Sequence, residues 1–159
     1  LEGEATRPTS QRVKEAIFSM IQFEIDNASV LDLFAGSGQI GFEALSGGAD
    51  VVFVDKDTSL LRKNAQHLGV DAHIIQGGFE DVLESLLNSQ KFDFIFADPP
   101  YNDGLYQQII KKALPLLKKD GILILEHSSD LTIPASTDYN MISVRKYGSR
   151  SLTFLGGEQ

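Results

Sequence analysis

The sequence predicts an α/β fold whose mostly parallel sheet ends in an antiparallel hairpin. Along most of the chain, short β-branched or apolar runs alternate with helical segments, which is typical of strand–helix–strand units with both sheet faces covered. The last segment breaks this alternation, because two apolar runs flank Tyr147-Gly148-Ser149, a tight turn. The 159 residues, 42% of them hydrophobic, fit one domain, and no repeat or linker divides residues 1–159.

The first half of the chain supplies three helices and three strands. Thr9 and Ser10 can cap the first helix, whose apolar residues recur at helical spacing. Gly47-Gly48 ends the second helix, and Thr58 can cap the third. Apolar, β-branched runs between these signals predict strands. In chain order we expect a helix up to residue 21, strand 30–34, helix 40–46, strand 51–54, helix 58–68 and strand 73–75.

The second half continues the alternation and then closes it. Its apolar runs are bounded by polar, Gly and Pro residues, which mark the ends of elements. The two final runs are too close together to hold a crossover helix, so they predict the hairpin. In chain order we expect helix 79–87, strand 92–97, helix 104–117, strand 122–126, strand 141–146 and strand 151–155.

Composition removes several functional classes. The chain has no Cys, which excludes disulfides, thiolate metal sites and a cysteine nucleophile, and which fits a reducing cytoplasm. No apolar run reaches the roughly 20 residues that a membrane span needs. His67, His73 and His127 are scattered and form no ligand set with nearby carboxylates, so we expect no metal.

The net charge of −8 is unevenly distributed. Residues 23–98 hold thirteen acidic and four basic residues, whereas residues 1–22 are neutral and residues 99–159 carry +1. The two ends are therefore free of the acidic excess and can contact nucleic acid. For the hairpin, contact with RNA and simple solubility remain equal alternatives. The candidate cations are Arg7, Arg12 and Lys14 at one end, and Arg145, Lys146 and Arg150 at the other.

A glycine loop follows the first strand. Gly36, Gly38 and Gly41 satisfy G-x-G-x-x-G, a pattern that lets the backbone approach a ligand at a helix N-terminus. Asp55, nineteen residues after Gly36, can accept hydrogen bonds from ribose hydroxyls. Asp32 lies before the loop, where an anion would repel a pyrophosphate but would favour an ammonium and a sulfonium. These residues favour S-adenosylmethionine, with a nicotinamide dinucleotide as the alternative.

The segment Asp98-Pro99-Pro100-Tyr101 follows the predicted strand 92–97. Two prolines remove N–H donors and fix the backbone, so carbonyls and the Asp98 carboxylate offer only acceptors. When two acceptors receive hydrogen bonds from both N–H groups of a base amine, the lone pair is localised on the amine nitrogen. The nitrogen is then positioned for methyl transfer. Tyr101 can stack on a base that has left its own stack. A rigid strand-ending turn without function is the alternative interpretation.

Several motifs together resemble the RsmD family, bacterial enzymes that methylate guanine N2 of 16S ribosomal RNA. They are the segment 6–18 with its Arg-Pro-Thr-Ser entry, Leu31 to Gly38, Glu43 to Ser46, Asp98 to Tyr101 and the closing Arg145-Lys146-Tyr147-Gly148. The Asp-Pro-Pro-Tyr motif alone is shared with adenine-N6 and cytosine-N4 methyltransferases. An adenine-N6 methyltransferase and a non-catalytic module that keeps the cofactor fold therefore remain alternatives.

The resemblance implies the class I S-adenosylmethionine-dependent methyltransferase (Rossmann-like) fold, with 16S ribosomal RNA of the small subunit as the partner. Relatives open with a basic hairpin, of which only Leu1 to Ala5 could remain here. Relatives also place an acid where this chain has Gln76 to Phe79, so backbone groups near Gly78 or the Asp81 carboxylate would read the adenine. The implied cofactor residues are Asp32, Phe34, Gly36, Gly38, Asp55, Lys56, Gly78, Phe79 and Asp98; the catalytic residues are Asp98, Pro99, Pro100 and Tyr101; Arg7 and Thr9 would lie at the mouth of the site, on the RNA side.

Overall fold

The computed structural model describes residues 9–100 and 104–157. Its elements alternate as expected up to the fifth strand. None of the helices in the described ranges has the length and hydropathy to cross a membrane. The helices are α1 Thr9–Ile21, α2 Gln39–Ser46, α3 Ser59–Leu68, α4 Phe79–Leu86 and α5 Leu105–Ala113; the strands are β1 Ser29–Leu33, β2 Asp50–Asp55, β3 His73–Gln76, β4 Phe92–Ala97, β5 Leu117–Ser128, β6 Tyr139–Tyr147 and β7 Arg150–Gly157.

The seven strands form one sheet in the order β3-β2-β1-β4-β5-β7-β6. Strands β1 to β5 are parallel, and β7 inserts antiparallel between β5 and β6. The prediction of a mostly parallel sheet with a terminal antiparallel hairpin is confirmed. Strand order reverses between β1 and β4, and in open α/β sheets ligands bind outside the carboxyl ends of the strands at such a point.

Two apolar layers cover the sheet. On one face, α1 and the strands pack through residues such as Val13, Ile17 and the fully buried Phe53 and Phe154. On the other face, α4 and α5 cover β1, β4 and β5. Because strand side chains alternate between faces, Asp32, which is paired with Phe53 and Phe96, belongs to the α1 face.

Three local predictions need correction. Helix α5 ends at Ala113 instead of residue 117, since Pro115 lacks an N–H and restricts the residue before it. Strand β5 is correspondingly longer and begins at Leu117. Thr58 precedes α3 but does not cap it: its hydroxyl donates to Gln76 Oε1 and accepts from Arg62 Nε.

Helix α1 contains Thr9 and Ser10, which we expected to cap it, and it packs beside the terminal hairpin. A Cβ atom on Gly148, in the hairpin turn, would lie 3.6 Å from Arg12 Nη2. Arg145 pairs with Leu152, which packs with α1, whereas Lys146 pairs with Ser151 on the opposite face. Arg12 therefore lies beside the hairpin turn and Arg145 is on the same face of the sheet as α1, whereas Lys146 is on the other face.

Candidate active site

Three cavities open at the carboxyl ends of the parallel strands, and Asp98, the first residue after β4, lines all of them. We name each cavity by one lining residue. The Phe79 cavity (about 290 Å³) includes Leu33, Phe34, Val54, Asp55, Lys56 and Phe79. The Gln39 cavity (about 250 Å³) includes Lys14, Asp32, Gly36, Ser37, Gln39 and Glu126. The Arg150 cavity (about 330 Å³) includes Pro99, Pro100, Tyr106, Glu126, Ser128 and Arg150.

The glycine loop turns sharply between β1 and α2. Phe34 and Gly36 both have positive φ, 63° and 59°, a conformation that costs a non-glycine residue energy. The Gly36 N–H donates to Asp55 Oδ2 at 2.7 Å. A Cβ at Gly36 would meet nothing within 4 Å. The loop is thus held by the carboxylate at the end of β2, and Gly36 faces open space.

The other two glycines of the motif are required by packing, and the role of Gly38 in cofactor binding stays a prediction. A Cβ at Gly38 would lie 2.5 Å from the Phe42 ring, and one at Gly41 would lie 2.2 Å from the Phe53 ring. Gly38 also has a φ of 88°. The G-x-G-x-x-G spacing here arises because α2 must approach the sheet closely, so the spacing alone does not distinguish between cofactors.

Asp32 is a buried carboxylate at the floor of the Gln39 cavity. It is 1% exposed and accepts a hydrogen bond from the Gly41 N–H at 3.0 Å. The pKa of Asp32 is raised to about 7. Burial is the main cause, the charges of Asp55 and Asp98 act in the same direction, and the hydrogen bond from Gly41 acts in the opposite direction. An anion in this position is costly without a cation, so the cavity is suited to a positively charged group.

The Phe79 cavity combines apolar walls with a carboxylate. Phe79 is buried, and its ring lies 5.6 Å from that of Phe34. Asp55 reaches the cavity at the end of β2, and the exposed Lys56 follows it. Gly78 precedes α4, near the Lys56 side chain, whereas Asp81 is exposed on α4. Flat walls beside a carboxylate that can accept hydrogen bonds from ribose hydroxyls suit a nucleoside.

Asp98 is held by a cation from the far end of the chain. Arg150, the first residue of β7, donates through Nη2 to Asp98 Oδ1 at 2.9 Å and through Nε to Glu126 Oε2 at 3.1 Å. The pKa of Asp98 is raised to about 6. Burial is the main cause, the charge of Glu126 acts in the same direction, and Arg150 acts in the opposite direction. Two carboxylates engage its guanidinium, and Lys146 lies on the other face of the sheet; contact of Arg150 with RNA stays a prediction.

Glu126, in β5, was not among the site residues that the sequence predicted. The signal that could have joined it to Arg150 is the hairpin itself. Once β7 pairs antiparallel with β5, Glu126 opposite Leu152 shares a face with Arg150, two residues earlier in β7. That pairing was not evident from the sequence, because the order of the hairpin strands in the sheet was unknown.

The remaining candidates divide between described and undescribed positions. Arg7 and Tyr101 lie outside the described residues, and Thr9 begins α1. Pro99 and Pro100 follow Asp98, and both line the Arg150 cavity. Arg145 and Lys146 are exposed in β6.

Known proteins resemble this chain in sequence and in structure. Ribosomal RNA small subunit methyltransferase D of Haemophilus influenzae is 33% identical over 157 residues, 93% of this chain and 81% of its own length. The protein of the same name from Buchnera aphidicola subsp. Acyrthosiphon pisum is 34% identical over 138 residues, covering 80% of this chain and 70% of its own length.

The solved structure of HI0767 from Haemophilus influenzae, described provisionally as a methylase, matches with a TM-score of 0.81 at 31% identity, covering 96% of this chain and 100% of that one. Magnesium protoporphyrin IX methyltransferase from Synechocystis PCC 6803, solved with bound S-adenosylmethionine, shares the fold with a TM-score of 0.72 at 11% identity, covering 95% of this chain and 80% of that one. The methyltransferase fold that the motifs implied is therefore confirmed.

The family comparison covers almost the whole chain. A family model described as "Conserved hypothetical protein 95" matches residues 1–156. This match includes the glycine loop, the Asp-Pro-Pro-Tyr segment and the terminal hairpin, the regions on which the resemblance was based. The chain therefore belongs to this family, the RsmD family.

Proposed function

We propose that this protein transfers a methyl group from S-adenosylmethionine to the exocyclic N2 amine of a guanine in 16S ribosomal RNA. The observation that carries the proposal is the position of Asp98 at the junction of the three cavities. A carboxylate there can touch both a bound cofactor and an incoming base. The names of the relatives, ribosomal RNA small subunit methyltransferases, support an RNA substrate for this chain.

The Phe79 and Gln39 cavities fit the two halves of the cofactor. In the first, Asp55 would accept from the ribose hydroxyls between the apolar walls of Phe34 and Phe79. In the second, the buried Asp32 would pair with the ammonium group. The open space at Gly36 lets the methionine part of the cofactor lie close to the protein backbone. When bound there, the cofactor supplies an electrophilic methyl group on a sulfonium.

The acceptors beside the Arg150 cavity would prepare the amine. The Asp98 carboxylate and the Pro99 carbonyl would accept hydrogen bonds from the two N–H groups of the amine. The lone pair on the amine nitrogen would then be directed at the methyl carbon of the cofactor. In the transfer, the carbon–sulfur bond breaks, a carbon–nitrogen bond forms and the amine loses one proton. Tyr101, outside the described residues, would stack on the base.

We also propose that residues 1–159 act as one methyltransferase domain on an assembled or assembling small subunit in the cytoplasm. All strands among the described residues belong to one sheet. The central charge of −9 opposes binding to bare phosphates. Basic ribosomal proteins beside the target would complement that charge. We expect faster methylation of small subunits than of protein-free 16S RNA at matched salt, and an equal or faster reaction on free RNA would contradict this.

The deciding experiment is methyl transfer with radiolabelled S-adenosylmethionine onto unmodified small subunits, followed by nucleoside analysis. N2-methylguanosine is the expected product, and Asp98→Ala serves as the inactive control. N6-methyladenosine would instead support the adenine alternative, and no product from either base would contradict the proposal. Calorimetry with S-adenosylmethionine on the same preparation shows whether a protein that yields no product still binds the cofactor, as a non-catalytic module would.

A further inference from the structure

The Arg150 cavity is built around one cation shared by two carboxylates. Asp98 comes from the end of β4, Glu126 from β5 and Arg150 from the start of β7. The side chain of Glu126 is 12% exposed and that of Arg150 is 24% exposed, while Asp98 is 41% exposed. The group is therefore largely buried on the Glu126 side and open to ligands at Asp98.

Arg150 uses two neighbouring N–H groups along one edge of its guanidinium. Nε–H bonds to Glu126 Oε2 and Nη2–H bonds to Asp98 Oδ1. Each carboxylate is thus engaged through one of its two oxygens. A carboxylate has further acceptor capacity on its second oxygen, so the pair can receive a second ligand that presents two neighbouring N–H donors.

Guanine has such an edge. Its N1–H and N2–H groups are adjacent donors in the plane of the ring, as Nε–H and Nη2–H are in a guanidinium. Adenine and cytosine place an acceptor nitrogen, without hydrogen, next to their amines. A carboxylate opposite that ring nitrogen would lose a hydrogen bond, and its oxygen lone pairs would repel the lone pair of the nitrogen. Both effects disfavour binding of adenine and cytosine.

We propose that Glu126 reads the N1–H of guanine while Asp98 accepts from its N2 amine, and that Arg150 holds the two carboxylates side by side for this purpose. The inference rests on the proposed function and explains why guanine is chosen over adenine. Glu126 is then a specificity-determining residue that contacts the base, and Arg150 is a positioning residue. The cavity volume of about 330 Å³ lies in the range of ligand pockets.

The test compares guanine with 2-aminopurine, which keeps the N2 amine but has an acceptor at N1 and no O6. Each base is placed at the target position of the RNA, and kcat/KM is measured on reconstituted small subunits. The wild-type protein should prefer guanine by at least about 100-fold. Glu126→Gln, whose amide can donate to N1, should reduce that preference by at least about tenfold through better use of 2-aminopurine.

Controls separate base reading from folding and from the proposed function. Glu84→Gln, an exposed change on α4, should keep the wild-type preference. Thermal melts and S-adenosylmethionine affinity establish that each variant folds, and Glu126→Ala, which cannot read either base, should also flatten the preference. Equal losses on both bases in Glu126→Gln would overturn the inference while leaving guanine methylation intact. If wild-type protein methylates neither base, the proposed function fails together with it.

Discussion

The two ends of the crevice are built in different ways. The part of the Gln39 cavity around the glycine loop is formed by residues close in sequence: Asp32 accepts from the Gly41 N–H within one strand–loop–helix unit, and the Gly36 N–H donates to Asp55 at the end of the next strand. The Arg150 cavity joins Asp98, Glu126 and Arg150, which are 24 to 52 residues apart in sequence. The first can be recognised as a motif, whereas the second exists only after the sheet has formed.

Replacing Asp98 by Ala should have the largest effect, because Asp98 links the two ends. We expect kcat to fall by at least about 100-fold, since the carboxylate stabilises charge that develops in the transition state. The affinity for S-adenosylmethionine, measured by calorimetry, should change by less than about tenfold. Near wild-type turnover by Asp98→Ala would show that Asp98 takes no part in the reaction, although it lines all three cavities.

The pH dependence of Asp32 tests the Gln39 cavity. Its pKa of about 7 lies above the ordinary value of 3.8, so the folded protein holds a proton that the unfolded chain has lost. Stability from this group is therefore full below about pH 4 and is lost as the pH rises towards 7. Between pH 5 and pH 8 we expect a loss of roughly 3 kcal/mol that Asp32→Asn does not show, measured by urea unfolding without cofactor.

The same carboxyl should link cofactor binding to pH. A bound ammonium lowers the pKa of Asp32, so binding releases a proton and affinity rises as the pH passes through about 7. Asp32→Asn, which keeps an acceptor for the Gly41 N–H, serves as the comparison. Identical pH profiles for the two proteins in unfolding and in calorimetry would contradict the assignment of this titration to Asp32.

The glycines provide the smallest and most selective test. Gly41→Ala should destabilise the fold by about 1–3 kcal/mol, because the methyl group would overlap the buried Phe53 ring. Gly36→Ala should cost only about 1 kcal/mol, the strain of a positive φ, yet weaken S-adenosylmethionine binding. Melting temperatures and calorimetry of both variants check this, and weaker binding by a fully folded Gly41→Ala protein would reverse the roles given to the two glycines.

The sequence predicted best what depends on neighbouring residues. Strand β4 has the predicted ends, β1 and β2 differ from prediction by one residue at each end, and β3 by one residue at its C-terminal end, because apolar runs and turn residues are local signals. The position of Asp55 at the end of β2, beside the glycine loop, also agrees with the prediction. The end of α5 was missed because its apolar periodicity continues through Pro115, and proline sterics should have taken precedence.

What the sequence could not supply was tertiary register. Arg150 was grouped with Arg145 and Lys146 because the three are close in sequence, yet strand alternation separates Lys146 from the others. Gly38 was assigned to the cofactor from its motif position, and the sequence did not show that the Phe42 and Leu61 side chains also require glycine there. Neither set of neighbours was predicted, because a side chain's neighbours across the sheet depend on the strand order.

The insertion of β7 between β5 and β6 also sets the order of events during synthesis. A nascent chain emerges N-terminus first, so Asp98 and Glu126 leave the ribosome before Arg150. Until the β6–β7 hairpin docks, these two carboxylates lack their shared cation, and their repulsion opposes closure of that side of the sheet. Docking of the hairpin and completion of the Arg150 cavity are thus one cooperative event, and a growing chain acquires this cavity only after Arg150 has been translated.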